Sequence, residues 1–232
     1  MLRPLWTLAT VLLGSSALAA PPVALALDSL QGLQALTSPS DLGPEVVSFG
    51  GRRAVRVTQV SPPDDTGTRT GAALLLLVPG VDFEDGTVEV DVVGRPRPGA
   101  PADVRGFVGL AFRVQEQADR HECFYIRQTN GRADDQVRRN HSTQYISSPE
   151  WGWKRLRDEM PSVYESYVDL VPDAWTHLRI RVAGTRAELY VGAASQPVLL
   201  VRDLKHGRSR GRIALWVGTD TEAYFSRLKI TR

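Results

Sequence analysis

In the stretch Trp175-Thr176-His177-Leu178-Arg179-Ile180-Arg181-Val182, polar and apolar residues alternate strictly from His177 onward. Side chains of an extended chain point to opposite faces in turn, so Leu178, Ile180 and Val182 share one face and His177, Arg179 and Arg181 the other. This is the pattern of a half-buried strand. Further strand-like runs follow at 187–191, 198–201, 213–217 and 224–230, punctuated by Gly184, Gly192, Gly207, Gly211 and Gly218. Earlier runs lie at 54–60, 72–78, 87–92, 107–114 and 122–127. They are separated by breakers such as Ser61-Pro62-Pro63-Asp64-Asp65, Pro79-Gly80 and Glu84-Asp85-Gly86, and by the Pro/Gly-rich loop 94–101. Many short alternating strands with regular turn signals predict an all-β sandwich or barrel.

One stretch, 153–160, carries a helical apolar stripe. There is no internal repeat and no low-complexity linker, so residues 43–232 read as one domain preceded by a leader at 20–42 that docks loosely. The chain of 232 residues is long enough for a sizeable core. Its 28 basic and 26 acidic residues leave a net charge of +2, without the basic excess that marks a nucleic-acid partner.

Residues 1–19 read as a secretory signal: Arg3 is the positive start, 5–13 the apolar core, and Ala17-Leu18-Ala19 a small-x-small cleavage site. The expectation is cleavage after Ala19 and release to a periplasm or the exterior, with no membrane attachment afterwards. A single cysteine, Cys123, excludes an internal disulfide.

The interval 128–172 breaks the strand pattern and is dense in Arg, Asp, Asn, His, Tyr and Trp. Its aromatic residues predict an ordered insertion rather than a disordered one, packed over one face of the sandwich. Within it Asn130, Arg132, Asp134, Asp135, Arg138, Asn140 and His141 gather Arg forks, amides and carboxylates, with Tyr145, Trp151 and Trp153 close by. Such groups form a hydrogen-bonded site or a network that holds the loop. Asp134 and Asp135 could ligate a hard cation such as Ca²⁺, but the loop lacks the alternating oxygen ligands of a helix–loop–helix calcium site. No metal or other cofactor is otherwise indicated.

Strand alternation also puts Glu89 and Asp91 together on the outward face of their strand, Trp216 on the outer face of its own, and Tyr125 with Arg127 on one face of theirs. One face carrying all five would suit a sugar, with aromatic rings stacked on it and charged groups reading its hydroxyls. Two apparent motifs carry no chemistry. Gly207-Arg208-Ser209-Arg210-Gly211 has nucleophile-elbow spacing but reads as a hairpin turn between two strands. Asn140-His141-Ser142 is a glycosylation sequon, relevant only in a eukaryotic secretory route.

Several runs together resemble a known family: Gly106-Phe107-Val108-Gly109-Leu110-Ala111-Phe112-Arg113, the strand 122–127, Trp175-Thr176-His177-Leu178-Arg179-Ile180, Leu189-Tyr190-Val191, Gly211-Arg212-Ile213-Ala214-Leu215-Trp216 and Tyr224-Phe225-Ser226-Arg227-Leu228-Lys229-Ile230. The chain is similar to the concanavalin A-like, laminin-G-like jelly-roll domains of exported bacterial proteins, most of all to the 3-keto-disaccharide hydrolase family. The resemblance implies a two-sheet antiparallel jelly-roll sandwich with a concave face, and carbohydrate as ligand or substrate. Related endoglucanases carry Glu-x-Asp-x-x-Glu on one strand; here Glu89 and Asp91 are followed by Gly94 at the third position.

The expectation is therefore a sugar-binding face fed by Glu89, Asp91, Arg113 and Arg127 and roofed by the insertion. In a hydrolase version, Glu89, Asp91 or Asp135 acts as general base while His141 or Arg127 stabilises developing charge. In a third version the domain is structural or binds proteins, and the insertion is only a cap.

Overall fold

The computed structural model describes residues 21–36, 42–61 and 73–232. The expected signal, 1–19, lies outside the described residues.

Two antiparallel sheets face each other. The first contains β1 (Val23–Leu25), β3 (Leu42–Phe49), β4 (Arg52–Thr58), β6 (Gly86–Pro96), β11 (Thr176–Ala183), β12 (Arg186–Val191), β13 (Leu199–Val201) and β15 (Thr221–Thr231). Their order is β13-β12-β11-β6-β15-β4-β3, with β1 also paired to β15. The second contains β2 (Gln34–Leu36), β5 (Leu74–Leu77), β7 (Phe107–Val114), β8 (His121–Arg127), β9 (Thr143–Ser148), β10 (Glu165–Ser166) and β14 (Arg212–Val217), in the order β10-β9-β8-β7-β14-β5-β2. The chain passes from sheet to sheet repeatedly, as a jelly roll does. The segment expected to dock loosely instead supplies one short strand to each sheet, Val23 pairing with Ile230 and Gln34 with Leu77.

The core forms where the inward faces meet. Val88, Val90 and Val92 of β6 and Leu178, Ile180 and Val182 of β11 pack against Leu110 and Phe112 of β7 and Phe124 and Ile126 of β8, all buried. Each such side chain contributes about 1.5–3 kcal/mol when fully buried. The inward face read from the alternation of 175–182 is thus the face the fold buries.

The interval 128–172 is ordered and more regular than its composition suggests. It holds a 3-10 turn (Gln128–Asn130), the helices α1 (Gln136–Asn140) and α2 (Trp153–Glu159), and the strands β9 and β10. β9 was hidden because its sequence, Thr-Gln-Tyr-Ile-Ser-Ser, buries polar side chains where a strand signal needs apolar ones. Gln128 anchors both ends of the interval. Its Nε2 donates to the carbonyls of Val171 and Ala174 at 2.9 and 2.6 Å, and its Oε1 accepts from the Gly94 N–H at 2.7 Å. A Cβ on Gly94 would lie 2.6 Å from the Gly106 carbonyl oxygen. A third carboxylate is therefore sterically closed at this position.

The segment 207–211 is not a hairpin turn. It carries the chain from β13 in the first sheet to β14 in the second, because the two strands bury opposite halves of the same core.

Candidate functional site: a groove on the outer face of the second sheet

The residues of the second sheet that point away from the core form an apolar face of their own. The ladder pairs Leu75 with Trp216, Trp216 with Gly109, Gly109 with Tyr125 and Tyr125 with Gln144, so these five stand in one row across β5, β14, β7, β8 and β9. Gly109, without a side chain, lets the two aromatic rings close over it. Tyr125 and Trp216 stack with ring centroids 4.6 Å apart and planes 17° from parallel. A Cβ on Gly109 would come within 2.1 Å of the Phe124 carbonyl oxygen. A neighbouring row, Leu77, Ala214, Ala111, Cys123 and Ile146, has small, fully buried residues at its centre. Burial raises the Cys123 thiol well above its ordinary pKa and so removes it as a nucleophile.

Two adjoining depressions cross this face, with cavities of about 560 and 600 Å³. Both are lined by Phe107, Tyr125, Trp153 and Thr219. The first is mainly aromatic and aliphatic, with Trp216, Leu75 and Ile146 in its wall and His121 at its edge. The second carries Arg105, Arg127, Asn130, Arg138, His141 and Arg157. Together they make one groove with an aromatic end and a cationic end.

The fold sets the cationic end in place through three elements. Arg127, at the end of β8, donates to the Tyr125 hydroxyl, to Gln144 Oε1 and to the His141 carbonyl, each at 3.0 Å. α1 presents Arg138, whose Nε donates to Asn130 Oδ1 at 3.4 Å. α2 presents Trp153 and Arg157; Arg157 lies over the Trp153 ring and pairs with Glu165 at 2.7 Å. His141 Nδ1 lies 2.9 Å from the same carboxylate. Burial lowers the His141 pKa. Glu165 opposes that shift, and the charges of Arg157 and Arg127 reinforce it.

No family profile matches the chain, and no curated protein matches it in sequence. Solved structures match its fold. The carbohydrate binding module CBM66 from Bacillus subtilis superposes with a TM-score of 0.55 at 14% identity, over 86% of this chain and 95% of that one. A protein of unknown function with a galectin-like fold, from the same organism, gives 0.56 at 11% identity, over 90% and 94%. A Crh5 transglycosylase in complex with NAG gives 0.53 at 13% identity, over 93% and 85%. At these identities the likeness concerns the fold alone. It agrees with the expected concanavalin A-like jelly roll and does not single out the 3-keto-disaccharide hydrolase family.

Of the residues expected at a site, Arg127, Asn130, Arg138, His141 and Trp153 meet in the groove, joined by Tyr125 and Trp216. The others stand elsewhere. Glu89 and Asp91 lie on β6, on the outer face of the first sheet, across the core from the groove. There Asp91 pairs with Arg52 at 2.6 Å, His177 at 2.8 Å and Arg227 at 3.6 Å, while Glu89 lies 3.7 Å from Lys229. Arg113 is fully buried at φ 53°. Its guanidinium donates to the carbonyls of Glu84, Gly207 and Gly184 and to Asp85, tying three loops together, so it is not available to a ligand.

Tyr145 points into the core, where its hydroxyl donates to Glu122 at 2.6 Å and accepts from the Lys205 N–H at 2.9 Å. Arg132 and Asp169 clasp each other at the surface. Asp135 caps α1 by accepting from the N–H groups of Val137 and Arg138, Asn140 accepts from Gln136, and Asp134 is exposed. Trp151 lies between Arg155 and Lys205, at 3.8 and 4.9 Å. Among the described residues no group of three His, Cys, Asp or Glu side chains is placed to hold a metal ion.

Sequence reasoning missed Arg105, Phe107 as a groove wall, Arg157 and the part played by Gly109. A glycine inside an apolar strand run is a signal of close approach and was legible. Arg105 and Arg157 gave no signal, because only the folding back of their loops brings them to β8.

Proposed function

We propose that this chain is an exported carbohydrate-binding β-sandwich and that its ligand lies in the groove of the second sheet. The observation that carries the reading is the groove's composition. The half-exposed Trp153 and the partly exposed Phe107 offer ring faces to sugar C–H groups, above a floor made by the stacked and largely buried Trp216 and Tyr125. Arg127, Arg138 and Asn130 stand beside them as donors for hydroxyls. Two of the structurally similar proteins, named as a carbohydrate binding module and a transglycosylase, add weight to a saccharide ligand.

Binding is favoured over hydrolysis by the placement of acids. A glycosidase of the usual kind needs two carboxylates facing one bond, about 5–10 Å apart. Among the described residues the groove is lined by Asp119 in its aromatic half and Asp103 in its cationic half, both exposed, while Glu89 and Asp91 stand on the far sheet. The hydrolase alternative has no such pair in the groove.

Affinity electrophoresis of the purified chain in gels containing soluble polysaccharides tests this. Retardation by at least one polysaccharide, relieved by Trp153→Ala, is expected. Unchanged mobility across neutral and acidic polysaccharides would sink the proposal. Intact-mass spectrometry of the exported protein tests the localisation: loss of residues 1–19 is expected, and a retained Met1 refutes it.

A further inference from the structure

The cationic end of the groove holds more positive charge than the protein neutralises. Arg105, Arg127, Arg138 and Arg157 all line it. Among the described residues only Arg157 of the four has an ion-pair partner, Glu165, which sits behind it. Arg127 is 6% exposed, and all three of its hydrogen-bond acceptors are neutral. Arg105 donates to the carbonyls of Ala102 and Val104, and Arg138 to the Asn130 amide oxygen. The lining acid is Asp103, at the exposed rim; among the described residues it makes no ion pair within 4 Å of these arginines, although its charge reaches Arg105.

Several arginines elsewhere on this protein are paired, Arg208 and Arg210 with Glu84, Arg95 with Glu222 and Arg132 with Asp169, whereas the groove gathers three without such a partner. Burying a cation without an anion is costly, and the cost is relieved when an anion arrives. Burial lowers the Arg105 pKa and the nearby charge of Arg138 lowers it further, while the charges of Asp103 and Asp135 oppose the shift only in part.

We propose that this end of the groove seats the anionic substituent of an acidic sugar, a ring carboxylate or a sulfate, between Arg105, Arg127 and Arg138. The assignment rests on the reading of the groove as a saccharide site and narrows it to acidic glycans. The planar fork of Arg138, held only through Nε, suits the two-oxygen edge of a carboxylate or sulfate, and Arg127, whose Nη2 is taken by Tyr125 and Gln144, adds its charge from behind. The adjoining aromatic wall of Tyr125, Phe107 and Trp153 receives the ring that carries it. Neutral neighbouring sugars of the same chain then lie along Trp216.

The test is isothermal titration of the full chain with polygalacturonate, alginate and hyaluronate, each beside its carboxyl-reduced neutral form, and with a sulfated galactan beside its desulfated form. At least one charged polymer should bind about tenfold or more tighter than its neutral counterpart, and the difference should shrink between about 0.05 and 0.5 M NaCl. Arg105→Gln with Arg138→Gln, both at half-exposed positions, should remove that preference, weakening the charged form about tenfold more than the neutral one. Arg208→Gln with Arg210→Gln, far from the groove, should not. Preference for a uronate or for the sulfated galactan identifies which anion the site takes.

Equal affinity for charged and neutral forms overturns the anion site while leaving the saccharide groove intact. An unaltered preference in the Arg105/Arg138 double variant also overturns it. Binding of no polymer, charged or neutral, refutes the groove itself and the anion site with it.

Discussion

The indole of Trp216 and the phenol of Tyr125, on strands separated by β7, stack 4.6 Å apart because the residue between them is Gly109. This pair forms the floor of the aromatic half of the groove, and Trp153 rises beside it from α2. The two tryptophans should respond differently to truncation. Trp153 is 47% exposed, so Trp153→Ala should leave the melting temperature nearly unchanged and weaken saccharide binding by about 1 kcal/mol, roughly fivefold. Trp216 is 6% exposed, so Trp216→Ala should also destabilise the fold, by about 3–5 kcal/mol. Urea unfolding beside titration separates the effects.

The acids on the far sheet give a contrasting expectation. Asp91 holds Arg52, His177 and Arg227 together. Asp91→Asn should lower stability by about 1–3 kcal/mol, because charge-assisted bonds of a mostly buried carboxylate are weakened. Affinity for the saccharide should stay within about twofold, since the groove lies across the core. Loss of binding without loss of stability would move the site to the first sheet.

His121, at the edge of the groove's aromatic end, makes acid sensitivity part of the fold. The residue is buried, and neither ring nitrogen has a well-formed hydrogen bond. Burial lowers its pKa from 6.5 to about 4; the Ala118 carbonyl opposes that shift in part, and His206 adds to it. The unfolded chain therefore takes up a proton between pH 6.5 and about 4 that the folded chain refuses. Unfolding is favoured as pH falls through that window, by up to roughly 3 kcal/mol, and stability is regained as pH rises. His121→Gln should flatten the urea midpoint over this range; an equally steep profile in the variant would assign the acid sensitivity to other groups.

Asp135, a candidate base by sequence, acts in the structure as a cap. It accepts from the Val137 and Arg138 N–H groups at 2.8 and 3.1 Å and so positions the short helix that carries Arg138. Asp135→Ala should cost about 0.5–2 kcal/mol of local order and weaken binding a few-fold. Asp135→Ser, which can also cap, should restore it. Failure of the serine variant to restore binding would give the carboxylate a direct role.

The residues themselves settled which side chains of a strand point inward. Alternation in 175–182 and 87–92 placed Leu178, Ile180, Val88 and Val90 in the core, and alternation in 212–217 and 123–127 put Trp216, and Tyr125 with Arg127, on outward faces, as the structure has them. That much follows from local geometry, since successive side chains of any extended chain face opposite ways. Only the tertiary structure decided which outward face each residue shares. A sandwich has two, and membership of a sheet is set by pairing between distant segments, such as β6 with β11 and β15, or β8 with β7 and β9. Hence Glu89 and Asp91 part company with Trp216, and Arg113, polar in sequence, is drawn inside by four acceptors supplied by three separate loops. Arg105 and Arg157 reach Arg127 for the same reason. Long-range pairing folds their segments onto one edge of the second sheet, and no local pattern encodes that meeting.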